Sequence, residues 1–258
     1  FWAASDVGWV VGHSFIVYGP LMAGCSTIVY EGKPVRTPDA GAFWRVCEEY
    51  KVNALFSAPT AFRAIAKEDP DAALMENYDL SHLKRLYLAG ERLDPSTYHW
   101  LKEKTQIPVI DHWWQTETGW SIASTPFADA STQELMTTKA GSSGFPVPGY
   151  NIEILDAYGV ALPANQQGTV AIKLPMPPGC LTTVYKDEKR FKESYLSTHP
   201  GYYVTGDGGY FDEDGYLFIM GRTDDVINVA GHRLSTGEME ESISGHSAVL
   251  SHRALRIA

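Results

Sequence analysis

The sequence has little positive charge and little cysteine, and each shortage excludes a class of protein. It contains 21 lysines and arginines against 31 aspartates and glutamates, a formal net charge of −10. Nucleic-acid backbones and anionic membrane surfaces bind clustered positive charge, so neither is an expected partner. The three cysteines (Cys25, Cys47 and Cys180) are an odd number without zinc-ligand spacing. We therefore expect reduced thiols in an intracellular protein, without a disulfide framework.

Three catalytic signatures are absent as well. The sequence has no G-x-x-x-x-G-K-[ST] phosphate loop, no G-x-G-x-x-G dinucleotide fingerprint and no G-x-S-x-G nucleophile elbow. These absences disfavour the common dehydrogenases and hydrolases. The sequence also lacks internal repeats and low-complexity tracts. Its composition, with 44% hydrophobic and 20% charged residues, is that of an ordinary globular protein.

One uncharged stretch is long enough to cross a bilayer, because residues 7–30 contain no Asp, Glu, Lys or Arg. The stretch holds several glycines and the dipeptide Gly19-Pro20, which predicts a break. We therefore expect two buried elements joined by a turn and no membrane span.

Strand and helix signals alternate over the first 125 residues or so. Strands are predicted at residues 27–30, 52–56, 83–88 and 108–110, and helices are predicted to open near Pro38, Pro59 and Asp94. This alternation predicts an α/β protein with a mixed, mainly parallel sheet covered by helices. Ligands bind such sheets beyond the carboxyl ends of the strands, which here are the segments after Leu88 and Ile110.

From about Gly141 the sequence favours short strands separated by Gly, Pro and Asp. The predicted strands are residues 152–155, 169–174, 202–205 and 216–220, and a helix is expected around residues 237–244. Residues 211–219 predict a hairpin that turns at Asp214-Gly215. Its carboxylates miss the spacing of a calcium loop and are interpreted as a solvated turn.

Four polar segments carry side chains suited to chemistry. They are LAGERL (residues 88–93), DHWWQTETG (111–119), TGDGGY (205–210) and GRTDDVINVAGHRLST (221–236). Each alone has an ordinary structural explanation: tryptophans belong in cores, an aspartate among glycines stabilises a turn, and arginine–aspartate pairs form on surfaces. Their combination is what points to a function.

Together the segments resemble the adenylate-forming enzymes, the superfamily of acyl-CoA synthetases, luciferases and peptide-synthetase adenylation domains. WWQTETG and DDVINVAGHRLST are similar to the acetyl- and propionyl-CoA synthetases, and FSAPTA, LYLAGE and PPGC look more like the propionyl branch. The resemblance runs from Phe1 to about Val249. It implies a ligase that joins a short carboxylic acid to ATP, with Mg²⁺ as the metal, and passes the acyl group to coenzyme A.

The resemblance also implies roles for residues of the nucleotide site. Gly90, Glu91 and Arg92 would flank the adenine, although many acetyl enzymes have proline where Arg92 stands. Thr116 would donate to the α-phosphate and Glu117 would help to hold Mg²⁺. The remaining implied ATP or AMP contacts are Asp111, His112, Trp113, Trp114, Gln115, Asp207 and Arg222, together with Arg233 at a phosphate.

Further positions match the coenzyme A site, the acid pocket and a hinge. Those associated with coenzyme A are Val11, Ala58 and Gly231, and the pocket walls are Trp9, Val10, Ala89 and Trp114. Acetate-selective relatives tend to carry valine at the position of Ala89, so alanine predicts a preference for propionate over acetate. Asp224 matches the hinge about which a C-terminal domain rotates. His246 matches a position that binds magnesium in some relatives, and is interpreted here as a surface histidine.

The resemblance implies three parts: residues 1–140 in the α/β AMP-binding domain, residues 141–222 in its β-rich subdomain, and residues 223–258 as the hinge and the truncated start of a small α+β domain. Relatives carry a phosphate loop upstream of Phe1 and a catalytic lysine downstream of Ala258, and residues 250–258 do not resemble the strand that follows in relatives. We therefore expect a piece of a longer ligase that is itself inactive, from a bacterial cytoplasm or a mitochondrial matrix.

Three alternatives remain open at this point. The first is an inactive module that binds AMP or an acyl group, favoured by the missing loop and lysine. The second is another adenylate-forming enzyme, an adenylation domain or a luciferase-like protein, which Trp113-Trp114 and the GHRLS segment argue against. The third is an aromatic-rich carbohydrate-binding protein that stacks sugars on exposed tryptophans.

Overall fold

The computed structural model describes residues 1–223, the backbone of Ile227–Val229 and His232–Leu234, and residues 239 and 243. The chain divides into two compact units, one of residues 1–111 and one that begins at His112. The helix predicted around residues 237–244 falls almost entirely outside the described residues, and the tail from Leu250 lies wholly outside them.

The first unit is built on a parallel sheet with the strand order β1-β2-β3-β4 and helices in the connections. The strands are Trp2–Ala3 (β1), Ala54–Ser57 (β2), Arg85–Leu88 (β3) and Val109–Asp111 (β4), and the helices are Gly19–Met22 (α1), Ala42–Glu49 (α2), Pro59–Glu68 (α3) and Pro95–Thr105 (α4), with a π-helical segment at Gly12–Tyr18 and a 3-10 turn at Met75–Asn77. Leu55, Leu86 and Phe62 are fully buried between the sheet and its helices. The predicted parallel sheet is thus confirmed.

The uncharged stretch at residues 7–30 differs from its prediction. The π-helical segment continues directly into α1 across Pro20. The Ile16 carbonyl, which proline leaves without an N–H donor four residues on, accepts from the Thr27 hydroxyl at 2.7 Å. The two elements are not buried throughout, since Trp9, Tyr18 and Met22 are 71%, 60% and 86% exposed. Among the described residues no helix combines the length and the apolarity needed to span a membrane.

One other local prediction was wrong, and one predicted helix starts a few residues later than expected. Residues 27–30 form no strand; Tyr30 packs edge-on against Trp2, with ring centroids 5.3 Å apart, in a segment without backbone strand pairing. The helix predicted to open near Pro38 begins at Ala42, because the Asp39 carboxylate accepts from the Gly41 N–H at 2.8 Å and closes a turn first. The predicted helix at Asp94 is confirmed, since this side chain caps α4 by accepting from the Thr97 N–H at 2.9 Å.

Over residues 112–223, the second unit contains antiparallel sheets and a helix. Its strands are Trp113–Trp114 (β5), Ser121–Ser124 (β6), Phe127–Asp129 (β7), Glu134–Leu135 (β8), Phe145–Pro146 (β9), Ile152–Leu155 (β10), Gly168–Lys173 (β11), Tyr202–Phe211 (β12), Leu217–Arg222 (β13), Ile227–Val229 (β14) and His232–Leu234 (β15), and its helix is Glu188–Tyr195 (α5). The main sheet has the order β10-β11-β12-β13, and β5, β6 and β9 form a second sheet. Antiparallel strands therefore begin at Trp113, well before the Gly141 expected from the sequence.

The predicted hairpin at residues 211–219 is confirmed, with Phe211 of β12 paired to Leu217 of β13. Its turn is held from outside by Lys139, whose ammonium lies 2.6 Å from a carboxylate oxygen of both Asp212 and Asp214. Hydrogen bonds from the ammonium to these carboxylates raise the pKa of Lys139. These ion pairs attach the segment before β9 to the turn of the hairpin. They also give the acidic residues of the turn a structural role.

Candidate active site

The loop between β5 and β6 is a closed turn with two polar side chains at its tip. The N–H groups of Thr118 and Gly119 donate to the Gln115 carbonyl at 3.1 and 3.0 Å. The Thr118 hydroxyl lies 2.9 Å from the Trp120 carbonyl and accepts from the Gln115 N–H at 3.2 Å. Thr118, for which the sequence predicts no role of its own, therefore fixes the turn. Thr116 is left exposed and Glu117 half-buried at the tip.

Asp207 of β12 joins this loop to the main sheet. Asp207 is only 7% exposed. Its Oδ2 accepts from the Trp113 indole N–H at 3.1 Å and from the Gln115 side-chain amide at 2.6 Å. The same amide nitrogen also donates to the Thr205 carbonyl at 2.7 Å. The structure thus brings together the DHWWQTETG and TGDGGY segments, which are about 90 residues apart in the chain.

Arg222 approaches the same aspartate from the neighbouring strand. It pairs with Asp207 across β12 and β13, donates to the Thr205 carbonyl at 3.0 Å, and lies 3.8 Å from Asp207 Oδ1. Its side chain is 48% exposed, so the ion pair itself contributes little stability. Gly206 has φ of +76°, a conformation that favours glycine, and a Cβ there would displace the guanidinium of Arg222 from its present position.

A stacked pair of tyrosines supports the other side of the loop. The Tyr195 hydroxyl donates to Glu117 Oε1 at 2.8 Å, and the Tyr203 hydroxyl donates to Gln115 Oε1 at 3.2 Å. Their rings are nearly parallel, with centroids 5.3 Å apart and an interplanar angle of 8°. Burial raises the pKa of both phenols, and the nearby Glu117 carboxylate raises them further, so both remain protonated donors. Neither tyrosine lies in a recognised motif.

In the first unit, the segment after β3 carries the other predicted nucleotide contacts. Ala89 is 4% exposed, and Gly90 has φ of +101° with open space where a side chain would lie. The Glu91 carboxylate is already engaged, since its Oε1 accepts from the Thr60 N–H at 2.6 Å and from Arg63 at 2.7 Å. Glu91 thus holds the first turn of α3, and a ligand beside this segment would meet the exposed backbone at Gly90.

Arg63 links this segment to the start of α4, because it also donates to Asp94 Oδ2 at 2.9 Å. Burial pushes the pKa of Asp94 upward, but the hydrogen bonds from Ser96, Thr97 and Arg63 outweigh that effect and hold it below its ordinary value of 3.8. The Arg63 and Asp94 side chains are 21% and 9% exposed, so this ion pair is better shielded than a surface pair.

We expect Asp94→Ala to lower the free energy of unfolding by about 2–3 kcal/mol at pH 7, because the helix cap and the Arg63 partner are lost together. The carboxylate's contribution is complete above its ordinary pKa and disappears as pH falls through the lower folded-state pKa. The difference from the wild type should therefore shrink below pH 3.8. Denaturant unfolding at several pH values measures it, with exposed Asp71→Ala as the control; equal midpoints at pH 7 would contradict the expectation.

The remaining predicted residues are distributed over both units. Val11, Asp111 and His112 are buried, Val10, Ala58, Arg92 and Trp114 are partly buried, and Trp9 is exposed. Trp113 belongs to the core of the second unit, with its indole N–H on Asp207. Asp224, Gly231 and His246 lie outside the described residues, and for Arg233 the structure describes the backbone in β15 alone.

Glu117 is the side chain of this loop that suits a hard cation. Its Oε1 is taken by Tyr195, while Oε2 has no hydrogen-bond partner in the described part of the chain. The described residues contain no group of three or more histidine, cysteine or acidic side chains that could form a metal cage. One half-buried carboxylate fits Mg²⁺, which keeps several waters and takes most other ligands from substrate phosphates.

The family comparison agrees with this geometry. The profile described as "AMP-binding enzyme" matches residues 1–184. A crystal structure of an anthranilate–CoA ligase in complex with anthranoyl-AMP superposes with a TM-score of 0.79 at 25% identity, covering 97% of this chain and 44% of that one. The chain belongs to the AMP-binding enzyme family.

Several curated relatives are similar over 96% of this chain. An uncharacterised protein of Pseudomonas aeruginosa is 61% identical, the human mitochondrial acyl-CoA synthetase short-chain family member 3 is 53% identical, and the propionate–CoA ligase of Salmonella typhimurium is 50% identical. The chain covers 39%, 36% and 39% of their respective lengths. It thus spans less than two fifths of these relatives.

Proposed function

We propose that the chain is part of a ligase that activates a short-chain carboxylate with ATP and transfers the acyl group to coenzyme A. Propionate is the favoured acid and acetate a second substrate. The observation that supports this most is the hydrogen bonding of Trp113 and Gln115 to Asp207, which joins the loop implied to meet the phosphates to the aspartate implied to meet the ribose. The relatives carrying the names of acyl-CoA synthetases and a propionate–CoA ligase support the reaction class.

In the first half-reaction, a carboxylate oxygen attacks the α-phosphorus of ATP, an acyl–phosphate bond forms, and the bond to pyrophosphate breaks. Asp207 would accept from the ribose hydroxyls with Arg222 beside it, and the exposed Thr116 hydroxyl would donate to the α-phosphate. Arg233 is proposed to reach a phosphate. These contacts act by holding the two reactants in line and by stabilising negative charge. Glu117 would help to hold Mg²⁺, and the bound metal would supply positive charge beside the phosphates.

In the second half-reaction, the sulfur of coenzyme A attacks the acyl carbon, the bond to the AMP oxygen breaks, and the thiol proton passes to solvent. Val11, Ala58 and Gly231 are the proposed contacts with coenzyme A. Gly231 is suited to this because glycine lets a pantetheine arm pass close to the backbone. Asp224 is the proposed hinge between the two half-reactions.

The proposed acid pocket has Trp9, Val10, Ala89 and Trp114 as its walls, with Trp114 limiting the acyl chain to a few carbons. The proposed functional parts are an α/β AMP-binding part (residues 1–140), its β-rich subdomain (141–222), and the hinge with the start of a C-terminal domain (223–258). The enzyme is proposed to act inside the cell, in a bacterial cytoplasm or a mitochondrial matrix, as supported by the bacterial and mitochondrial relatives.

The test is thioester formation from propionate, ATP, Mg²⁺ and coenzyme A, measured on the full-length gene product and on the 258-residue chain side by side. We expect propionyl-CoA from the full-length protein and little or none from the chain, because the chain spans less than two fifths of its ligase relatives. Thioester formation by the chain would overturn its expected inactivity. AMP binding without thioester from the full-length protein would favour an inactive AMP- or acyl-binding module.

A further inference from the structure

The last residue of helix α5, Tyr195, places its hydroxyl against the loop between β5 and β6. The helix begins with Asp187 as its cap, which accepts from the Arg190 N–H at 3.0 Å, and Phe191 is buried one turn before its end. Tyr195 is the last residue of the helix, and its hydroxyl donates to Glu117 Oε1. The position of this hydroxyl is therefore set by a capped helix with a buried anchor.

The ring of Tyr195 is fixed as well as its hydroxyl. It stacks on Tyr203 of β12 at an interplanar angle of 8°, and Tyr203 in turn donates to Gln115, the residue that holds Asp207. Glu117 and Gln115 are two residues apart in the same loop. The two stacked tyrosines therefore hydrogen-bond to the loop at two positions. Without this hydrogen bond, the half-buried Glu117 side chain could rotate among several conformers.

We propose that Tyr195 is a positioning residue that orients the Glu117 carboxylate so that Oε2 faces the Mg²⁺ of the bound nucleotide. The inference rests on the proposed function, which assigns Glu117 to Mg²⁺. Tyr195 itself contacts neither the metal nor the substrate in this assignment. Its hydroxyl occupies one carboxylate oxygen and leaves the other without a hydrogen-bond partner among the described residues. Hydrogen bonds from second-layer residues orient metal ligands in this way in many metal sites.

The test is binding of a non-hydrolysable ATP analogue by the full-length protein, measured by calorimetry over a series of Mg²⁺ concentrations. We expect Tyr195→Phe to raise the Mg²⁺ concentration for half-maximal binding by about five- to tenfold, while affinity at saturating Mg²⁺ stays within about twofold. The phenylalanine ring retains the stacking on Tyr203. Tyr202→Phe is the matched control, because it removes a neighbouring hydroxyl that also donates to a carboxylate, that of Glu153, and should leave the Mg²⁺ requirement unchanged.

A double-mutant series separates this inference from the proposed function. Glu117→Gln should raise the Mg²⁺ requirement, and adding Tyr195→Phe to it should have no further effect. If Glu117→Gln shifts the requirement and Tyr195→Phe alone does not, the positioning role is wrong while the proposed function stands. If Glu117→Gln leaves the requirement unchanged in a protein that still binds the analogue, the assignment of Mg²⁺ to Glu117 is wrong, and the positioning role with it.

Discussion

Asp207→Ala should weaken AMP and ATP binding by about 100-fold or more in the full-length protein, because hydrogen bonds to a charged group contribute about 1.5–3 kcal/mol each and two ribose hydroxyls would lose their acceptor. The substitution also leaves the Trp113 indole N–H and the Gln115 amide without their shared acceptor. Because Gln115 belongs to the loop that presents Thr116, the phosphate contact would be displaced together with the ribose contact.

Calorimetry with AMP measures this loss in the absence of metal. Glu153→Ala is the matched control, since it removes a carboxylate from β10 of the same sheet that is paired with Tyr202 and Lys173. We expect the control to bind AMP within about twofold of the wild type, as surface changes away from a site usually do. AMP affinity of a folded Asp207→Ala protein within threefold of the wild type, on the order of 0.6 kcal/mol, would contradict the assignment of Asp207 to the ribose.

Ala89→Val should shift the preference between propionate and acetate toward acetate by about tenfold. The two added methyl groups fill space at the proposed acid pocket, and each buried methylene contributes about 0.8 kcal/mol. Ala89 is 4% exposed at the carboxyl end of β3, where its N–H donates to the Ser57 carbonyl at 3.3 Å. Because this position is enclosed, a larger side chain must either displace its neighbours or reduce the space left for the acid.

The ratio of kcat/KM for the two acids, measured on the full-length protein and its Ala89→Val variant, gives this shift directly. Ala61→Val is a useful control, since Ala61 is a partly buried alanine of α3 outside the proposed pocket. An unchanged acid ratio in an active Ala89→Val enzyme would remove Ala89 from the determinants of substrate size.

The first unit was largely predictable because its signals are local. Apolar runs bounded by proline, glycine and aspartate gave β2, β3 and β4 to within two residues, and Asp94-Pro95 marked the start of α4. The uncharged stretch was not predictable in the same way, because its apolar composition predicted burial. Exposure of Trp9 and Met22 depends on which parts of the protein lie around them, and composition carries no such information.

The candidate site was predictable as a set of segments and not as a set of contacts. Resemblance singled out Gln115, Glu117 and Asp207, but the hydrogen bonds of Gln115 and Trp113 to Asp207 join residues about 90 positions apart and follow from tertiary packing. Tyr195 had no local signal at all, because a tyrosine at the end of a polar helix is compatible with many roles. Its contact with Glu117 emerges when α5 packs beside the loop.

The central claim is tested most directly by acid-dependent exchange of pyrophosphate into ATP, measured with acetate, propionate and butyrate. The full-length protein and the 258-residue chain are assayed in parallel. We expect exchange that requires an acid, is fastest with propionate and occurs in the full-length protein alone. Absence of exchange with every acid, in a full-length protein that still binds AMP, would contradict the ligase and leave a nucleotide-binding module in its place.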